Sequence, residues 1–146
     1  MEQLAETEVF EPLGLGSTGY LRPFDDGREF TRAYASHSLH TTAADYARFF
    51  AHVLESDLGR AMLTPQVTID ESLAWGLGWG LAGQLVWHWG EMGHFVSAAV
   101  ASRAEGRGLV CLTNGDDGLA ACAEILQHTL GEDFAYPIRA VLERGW

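Results

Sequence analysis

The side chains with the widest chemical range in this sequence are six histidines, two cysteines and a scatter of serines, and their spacing decides whether they build a site. His37 and His40 lie close together, as do His88 and His94 further on. A metal centre needs three or four converging donors with hydrogen-bonded support. None of these spacings matches a helical His-x-x-x-His or a paired-cysteine pattern, so no metal is expected. A serine exposed for acyl attack on a strand-to-helix elbow needs Gly-x-Ser-x-Gly, and no such stretch occurs. Ser36, Ser38 and Ser97 each have a histidine nearby in the chain, which is thin support for a hydrolytic pair. Gly14-Leu15-Gly16-Ser17-Thr18-Gly19 and Gly78-Trp79-Gly80-Leu81-Ala82-Gly83 both read Gly-x-Gly-x-x-Gly. A dinucleotide loop must follow a strand and open a helix. The first follows helix-like sequence and the second lies in strand-like sequence, so no phosphate-bearing cofactor is expected, and none of any other kind. Cys111 falls in a strand-like run and Cys122 in a helix-like run, which reads as two free buried thiols.

The elements that must position these groups follow from periodicity. Glu2 to Phe10 reads as a short helix stopped at Glu11-Pro12, because proline disfavours the helical region for the residue before it. Gly14 to Ser38, with Pro23 and Asp25-Asp26-Gly27, reads as an irregular connector. A helix begins at Thr42, whose hydroxyl can cap the first turn, with Asp45 three residues on. Tyr46, Phe50, Val53 and Leu54 share its apolar face, while Asp45, Arg48, His52 and Glu55 are expected to face outward. Four strands follow, over Leu73 to Leu81, Leu85 to Gly90, Phe95 to Ser102 and Leu109 to Thr113, with connections short enough for antiparallel neighbours. Alternation in the second puts His88 on the face opposite Trp87 and Trp89. A helix from about Asp117 to Leu130 stops at Gly131, and Pro137 suits the first turn of a final short helix.

Five stretches occur in an order that carries more information than any of them alone. They are Val9-Phe10-Glu11-Pro12-Leu13-Gly14-Leu15-Gly16-Ser17-Thr18, Leu39-His40-Thr41-Thr42-Ala43-Ala44-Asp45-Tyr46-Ala47-Arg48-Phe49, Gly76-Leu77-Gly78-Trp79, His88-Trp89-Gly90 and Val110-Cys111-Leu112-Thr113-Asn114-Gly115. Together they resemble the C-terminal portion of the β-lactamase-related serine hydrolases, a family of class C β-lactamases, D-alanyl-D-alanine peptidases and esterases. The resemblance implies an α+β fold: an antiparallel sheet of three to four strands flanked by helices, in one domain over residues 1–146. It also implies a Lys/His-x-Gly wall at His88, Trp89 and Gly90, an oxyanion amide at Glu91, and a groove near His94 and Phe95. His94 stands where the family usually has glycine. Two further family elements are missing from these residues. All nine basic residues are arginine, so there is no Ser-x-x-Lys; the lone asparagine, Asn114, follows Leu112 by two places, so there is no Tyr-x-Asn.

The expected function is therefore that of a hydrolase homologue without its nucleophile, truncated, split or degenerate, and inactive alone. The alternative is a non-catalytic module binding a small acyl or D-alanyl peptide ligand on the face carrying Trp75, Trp79, Trp87 and Trp89, although core packing is the simpler account of those indoles. Family members carry strands and a helical insertion ahead of the matched region, so a strand edge and an apolar face are expected to be exposed here. A homo-oligomer or a complementary partner chain follows from that exposure. A formal net charge of −11 and a pI near 4.8 exclude nucleic acid and anionic membrane as main partners. No stretch reads as a secretory signal, and the scarcity of cysteine suits a reducing compartment, so the expected location is cytoplasmic.

Overall fold

A computed structural model describes residues 1–20 and 31–146, which fall into two compact units, Met1–Ala51 and His52–Trp146. Pro23 and the Asp25-Asp26-Gly27 turn lie outside the described residues.

In the first unit, α1 (Glu2–Ala5) widens into a π-helical turn over Glu6–Phe10 and ends at Glu11-Pro12, where the sequence places the stop. The described residues between it and residue 42 are irregular apart from one bridge, in which Gly19 and His40 exchange backbone hydrogen bonds of 3.0 and 2.9 Å. The main helix, α2 (Ala43–Glu55), crosses from this unit into the next. Thr42 Oγ1 accepts the Asp45 amide at 3.2 Å, the cap expected from sequence. Asp45 itself is only 4 % exposed, a departure from the outward position that the helical period assigns it. The reason is a set of donors from the preceding loop. Its Oδ2 accepts from the Ser17 amide at 2.7 Å and the Thr18 hydroxyl at 3.1 Å, while Oδ1 accepts from Arg48 at 2.9 Å.

The second unit is a six-stranded antiparallel sheet in sequence order with helices on one face. α3 (Asp57–Met62) is a separate short helix, capped by Ser56 Oγ on the Gly59 amide. The strands are β1 (Val67–Thr68), β2 (Ala74–Trp75), β3 (Gly80–Ala82), β4 (Leu85–Met92), β5 (Phe95–Ser102) and β6 (Arg107–Thr113). Six strands stand where three to four were expected. Two come from the segment read as one strand over Leu73 to Leu81, because Gly78 adopts φ +79 and turns the chain between β2 and β3. The other added strand, β1, is two residues long and too short to leave a periodic signal.

α4 (Gly118–Leu130) and α5 (Glu132–Arg144) cover the sheet face formed by Trp87, Val96, Ala98, Val100 and Cys111. Cys122, Leu126, Phe134, Ile138 and Val141 supply the helical side of that core. Gly131 ends α4 at φ +109, as expected, but Pro137 lies in the interior of α5 rather than in its first turn. Its missing N–H and ring clash cost about 3 kcal/mol. Burial of Phe134, Ile138 and Val141 on either side returns about 1.5–3 kcal/mol each, so packing outweighs propensity and the helix runs through.

Gly80 explains how the largest core side chain fits. A Cβ there would lie 2.2 Å from Trp87 Cε2, so only glycine lets the Trp87 indole fold across β3. It then meets Trp75 with ring centroids 5.1 Å apart, tilted by 48°.

Candidate active-site wall

β4 carries His88, Trp89, Gly90 and Glu91, and its alternation sorts them. Trp87 and Trp89 point to the helix-covered core, while His88 and Gly90 point to the other face. His88 is partly buried between two indoles met edge-on, Trp75 at 5.7 Å and Trp79 at 6.1 Å. Burial pushes its pKa below the ordinary histidine value, and a backbone hydrogen bond at Trp89 offsets part of the shift. The imidazole is thereby held neutral at pH 7, able to donate from one nitrogen and accept at the other.

Gly90 sits against Ser97, whose hydroxyl donates to the Gly90 carbonyl at 3.4 Å; a Cβ on Gly90 would crowd that oxygen at 3.3 Å. The amide of Glu91 follows from the ladder. Arg103 donates to Gln84 directly opposite, so in register the hydrogen-bonded pairs of β4 and β5 are those of even-numbered β4 residues, His88 and Gly90 among them. Trp89 and Glu91 accordingly turn their N–H groups away from β5. On that side β3 pairs with β4 only up to Trp87, so the Glu91 amide emerges where the neighbouring strand has ended. An amide in such a place can donate to an oxyanion.

β4 extends to Met92, two residues beyond the expected end, and Gly93-His94 form a two-residue turn into β5 with Gly93 at φ +59. That turn places His94 and Phe95 at the far end of the hairpin, both exposed. His94 Nδ1 pairs there with Asp116, a partner 22 residues away that no local pattern in the sequence signals. Trp75 and Trp79 are the neighbours of His88 that alternation along β4 alone does not reveal. The glycines of Gly76-Leu77-Gly78-Trp79 were the available clue, since they fold β2 back beside β3.

The serines weighed from sequence are otherwise engaged. Ser38 Oγ accepts from the Tyr34 amide at 2.7 Å and donates to the Tyr34 carbonyl, closing a buried turn. Ser36 lies 2.7 Å from Nδ1 of its neighbour His37 on an exposed turn, and Ser97 donates to Gly90. Among the described residues no three His, Cys, Asp or Glu side chains converge on a common point that could hold a metal. Neither glycine-rich stretch opens a helix: the first leads to the bridge at Gly19 and the second contains β3. Cys111 and Cys122 are free and buried, facing each other from β6 and α4; the contact with Cys111, reinforced by burial, raises the Cys122 thiol far above the usual range. No helix among the described residues is long and apolar enough to cross a membrane.

An antiparallel sheet backed by helices on one face is the α+β arrangement of the β-lactamase and transpeptidase-like proteins. The sequence model of the β-lactamase family matches residues 1–130, and the chain belongs to that family. Solved structures share the fold at low identity. The penicillin-binding protein from Bacillus halodurans is 16 % identical with a TM-score of 0.65, the match covering 99 % of this chain and 49 % of that one. The octameric penicillin-binding protein homologue from Pyrococcus abyssi is 18 % identical, also at 0.65, over 94 % of this chain and 41 % of that one. The D-stereospecific amidohydrolase from Streptomyces sp. is 18 % identical at 0.65, over 89 % and 48 %. The chain thus spans half or less of the length of these structures. No curated protein matches it.

Proposed function

We propose that this chain is a serine-hydrolase scaffold that keeps one wall of an acyl-transfer site and, alone, performs no acyl transfer. The observation that carries the reading is compositional: with no lysine anywhere, the chain has no Ser-x-x-Lys to supply a nucleophile and its activating amine. The wall supports it from the other side. His88 as a neutral donor or acceptor, Gly90 as the close-approach position and the Glu91 amide as one oxyanion donor would form half of such a site, with the groove continuing toward His94 and Phe95. One donor of a pair contributes about 3–4 kcal/mol of transition-state stabilisation and has nothing to act on without an attacking group. The reading treats residues 1–146 as one functional domain, truncated, split or degenerate with respect to the family's full-length members.

Incubation of the isolated chain with a penicillin or a fluorophosphonate, followed by intact-mass measurement, is expected to leave the mass unchanged. A stable acyl or phosphonyl adduct overturns the proposal.

A partner is part of the reading: either another copy of this chain or a complementary one. The octameric state belongs to the Pyrococcus abyssi homologue, and the shared fold makes assembly of this chain a natural proposal. The competing reading, a module that binds an acyl or D-alanyl peptide ligand on its tryptophans, has less surface to work with. Trp87 is fully buried and Trp79 is 3 % exposed, which leaves Trp75 and Trp89 as the partly accessible indoles. Titration with a D-alanyl dipeptide is expected to leave the tryptophan fluorescence unchanged; a saturable change without turnover favours the binding module.

A further inference from the structure

The sheet face opposite His88 holds two groups that the acyl-transfer wall does not use, Cys111 on β6 and Cys122 on α4, both free and both buried in the core. Local geometry brings them together. Gly118, the first residue of α4, is seated directly on the sheet: a Cβ there would lie 2.1 Å from Thr113 Oγ1 and 2.7 Å from Val96 Cβ, so only glycine permits this approach. From that seat the helical and strand periods run in step. Cys122 lies one turn along α4 on the same face as Gly118, an advance of about 6 Å, and Cys111 lies two residues back along β6 on the same face as Thr113, about 7 Å away. α4 therefore returns over β6 in the opposite direction, with Cys122 above Cys111 as Gly118 is above Thr113. The two thiols hydrogen-bond to each other. A disulfide needs α-carbons within about 7 Å, a spacing that any side chain at position 118 would widen.

We propose that Cys111 and Cys122 are a redox-active thiol pair, which hydrogen peroxide converts to an intrachain disulfide that staples α4 to β6 and a thiol reductant reopens. Apolar burial alone makes thiols inert, and the contact between these two changes that for one of them. The hydrogen bond from Cys122 lowers the Cys111 pKa against the opposing effect of burial, whereas the contact with Cys111, reinforced by burial, raises that of Cys122. Cys111 is thus the attacking thiolate and Cys122 the resolving thiol. In the first step the Cys111 sulfur attacks a peroxide oxygen: an S–O bond forms, the O–O bond breaks, and the departing hydroxide takes up the proton that Cys111 released, leaving a sulfenic acid and water. In the second the Cys122 sulfur attacks the Cys111 sulfur: the S–S bond forms, the S–O bond breaks, and the hydroxyl leaves as water with the Cys122 proton. Two thiols give up two electrons and two protons, and one peroxide becomes two waters. Hydrogen peroxide is close to water in size, so local opening of the helix suffices to admit it. The staple also closes the turn that carries Asp116, the partner of His94.

Thiol counting on the whole folded chain tests this. The chain is treated with hydrogen peroxide, quenched, denatured and alkylated with iodoacetamide, and its mass is read with and without prior reduction by dithiothreitol. Neither cysteine of the treated chain is expected to take up the label, both are expected to take it up after reduction, and a peptide map is expected to join the Cys111 and Cys122 peptides within one chain. Labelling of both thiols after a treatment that consumes free glutathione overturns the proposal. So does a loss of thiols that reduction does not restore, since that marks sulfinic or sulfonic acid instead of a disulfide, or a disulfide between chains. Two variants test the order of attack. Cys122→Ala is expected to leave a Cys111 sulfenic acid that dimedone traps, and Cys111→Ala is expected to leave Cys122 unreacted. The reverse pattern overturns the assignment of Cys111 as the attacking thiolate.

Discussion

The loop-helix junction at Asp45 and the sheet-helix core around Trp87 are held by different forces. At Asp45 one buried carboxylate gathers the Ser17 amide, the Thr18 hydroxyl and the Arg48 guanidinium, and Thr18 in turn contacts Thr41 at 2.8 Å. Around Trp87 the contacts are almost wholly apolar, and its own Nε1 is buried without a hydrogen-bond partner among the described residues. Short-range directional bonds hold a segment with few large side chains and many glycines. Burial holds the region where strands and helices offer matching apolar faces. The difference teaches that one acidic side chain can do locally what a cluster of large residues does elsewhere, but only while all its donors are in place.

The largest break in this comparison is expected in the apolar region. Phe134→Ala removes a fully packed ring between α5 and the sheet and is expected to cost about 3–5 kcal/mol in chemical denaturation. A loss below about 1 kcal/mol would mean that the core is not the source of stability there. Asp45→Ala comes next, at about 1–3 kcal/mol, because it strands buried donors. Its signature is local: amide exchange should accelerate at Ser17, Thr18 and the first turn of α2, while Asp45→Asn, which keeps an acceptor oxygen, should recover part of the loss. Uniform acceleration over β4 and β5 would erase the distinction between the two regions.

A smaller effect concerns the polar group at the edge of the apolar region. The pKa of His88 is lowered in the fold, so the unfolded chain binds its proton more readily. Stability from this residue is therefore complete above about pH 6.5, the unfolded value, and is lost as pH falls from there through the folded value. Denaturation midpoints between pH 7.5 and 5 should fall with pH, and His88→Gln should flatten that slope. An unchanged slope assigns it to another group. The smallest effect is expected at the exposed His94–Asp116 pair, where His94→Ala should change stability by no more than about 0.5 kcal/mol.

Much of this arrangement was legible before any coordinates. The Thr42 cap, the stop at Pro12, the Gly131 terminus and the placement of His88 opposite Trp87 and Trp89 are local or periodic, and each depends on residues within a turn or two of one another. The count of strands was not legible, because β1 and β2 are two residues long and exist only through their neighbours. Pro137 misled for a related reason: its local preference is real, but three buried side chains outweigh it. Asp45 was assigned outward by helical period, and only the return of Ser17 and Thr18 to the helix start reversed that.

The same division runs through the site. Sequence alone determined that the chain has no lysine, that its one asparagine does not follow a Tyr-x pattern, and that a His-x-Gly stretch lies on a strand; composition and two-residue alternation need no fold. Tertiary structure decided that Trp75 and Trp79 enclose His88, that Asp116 meets His94, and that Glu91 turns its amide toward the side where β3 has stopped pairing. These depend on register and on the ends of neighbouring strands, which are set by long-range hydrogen bonding and burial rather than by any residue's own preference.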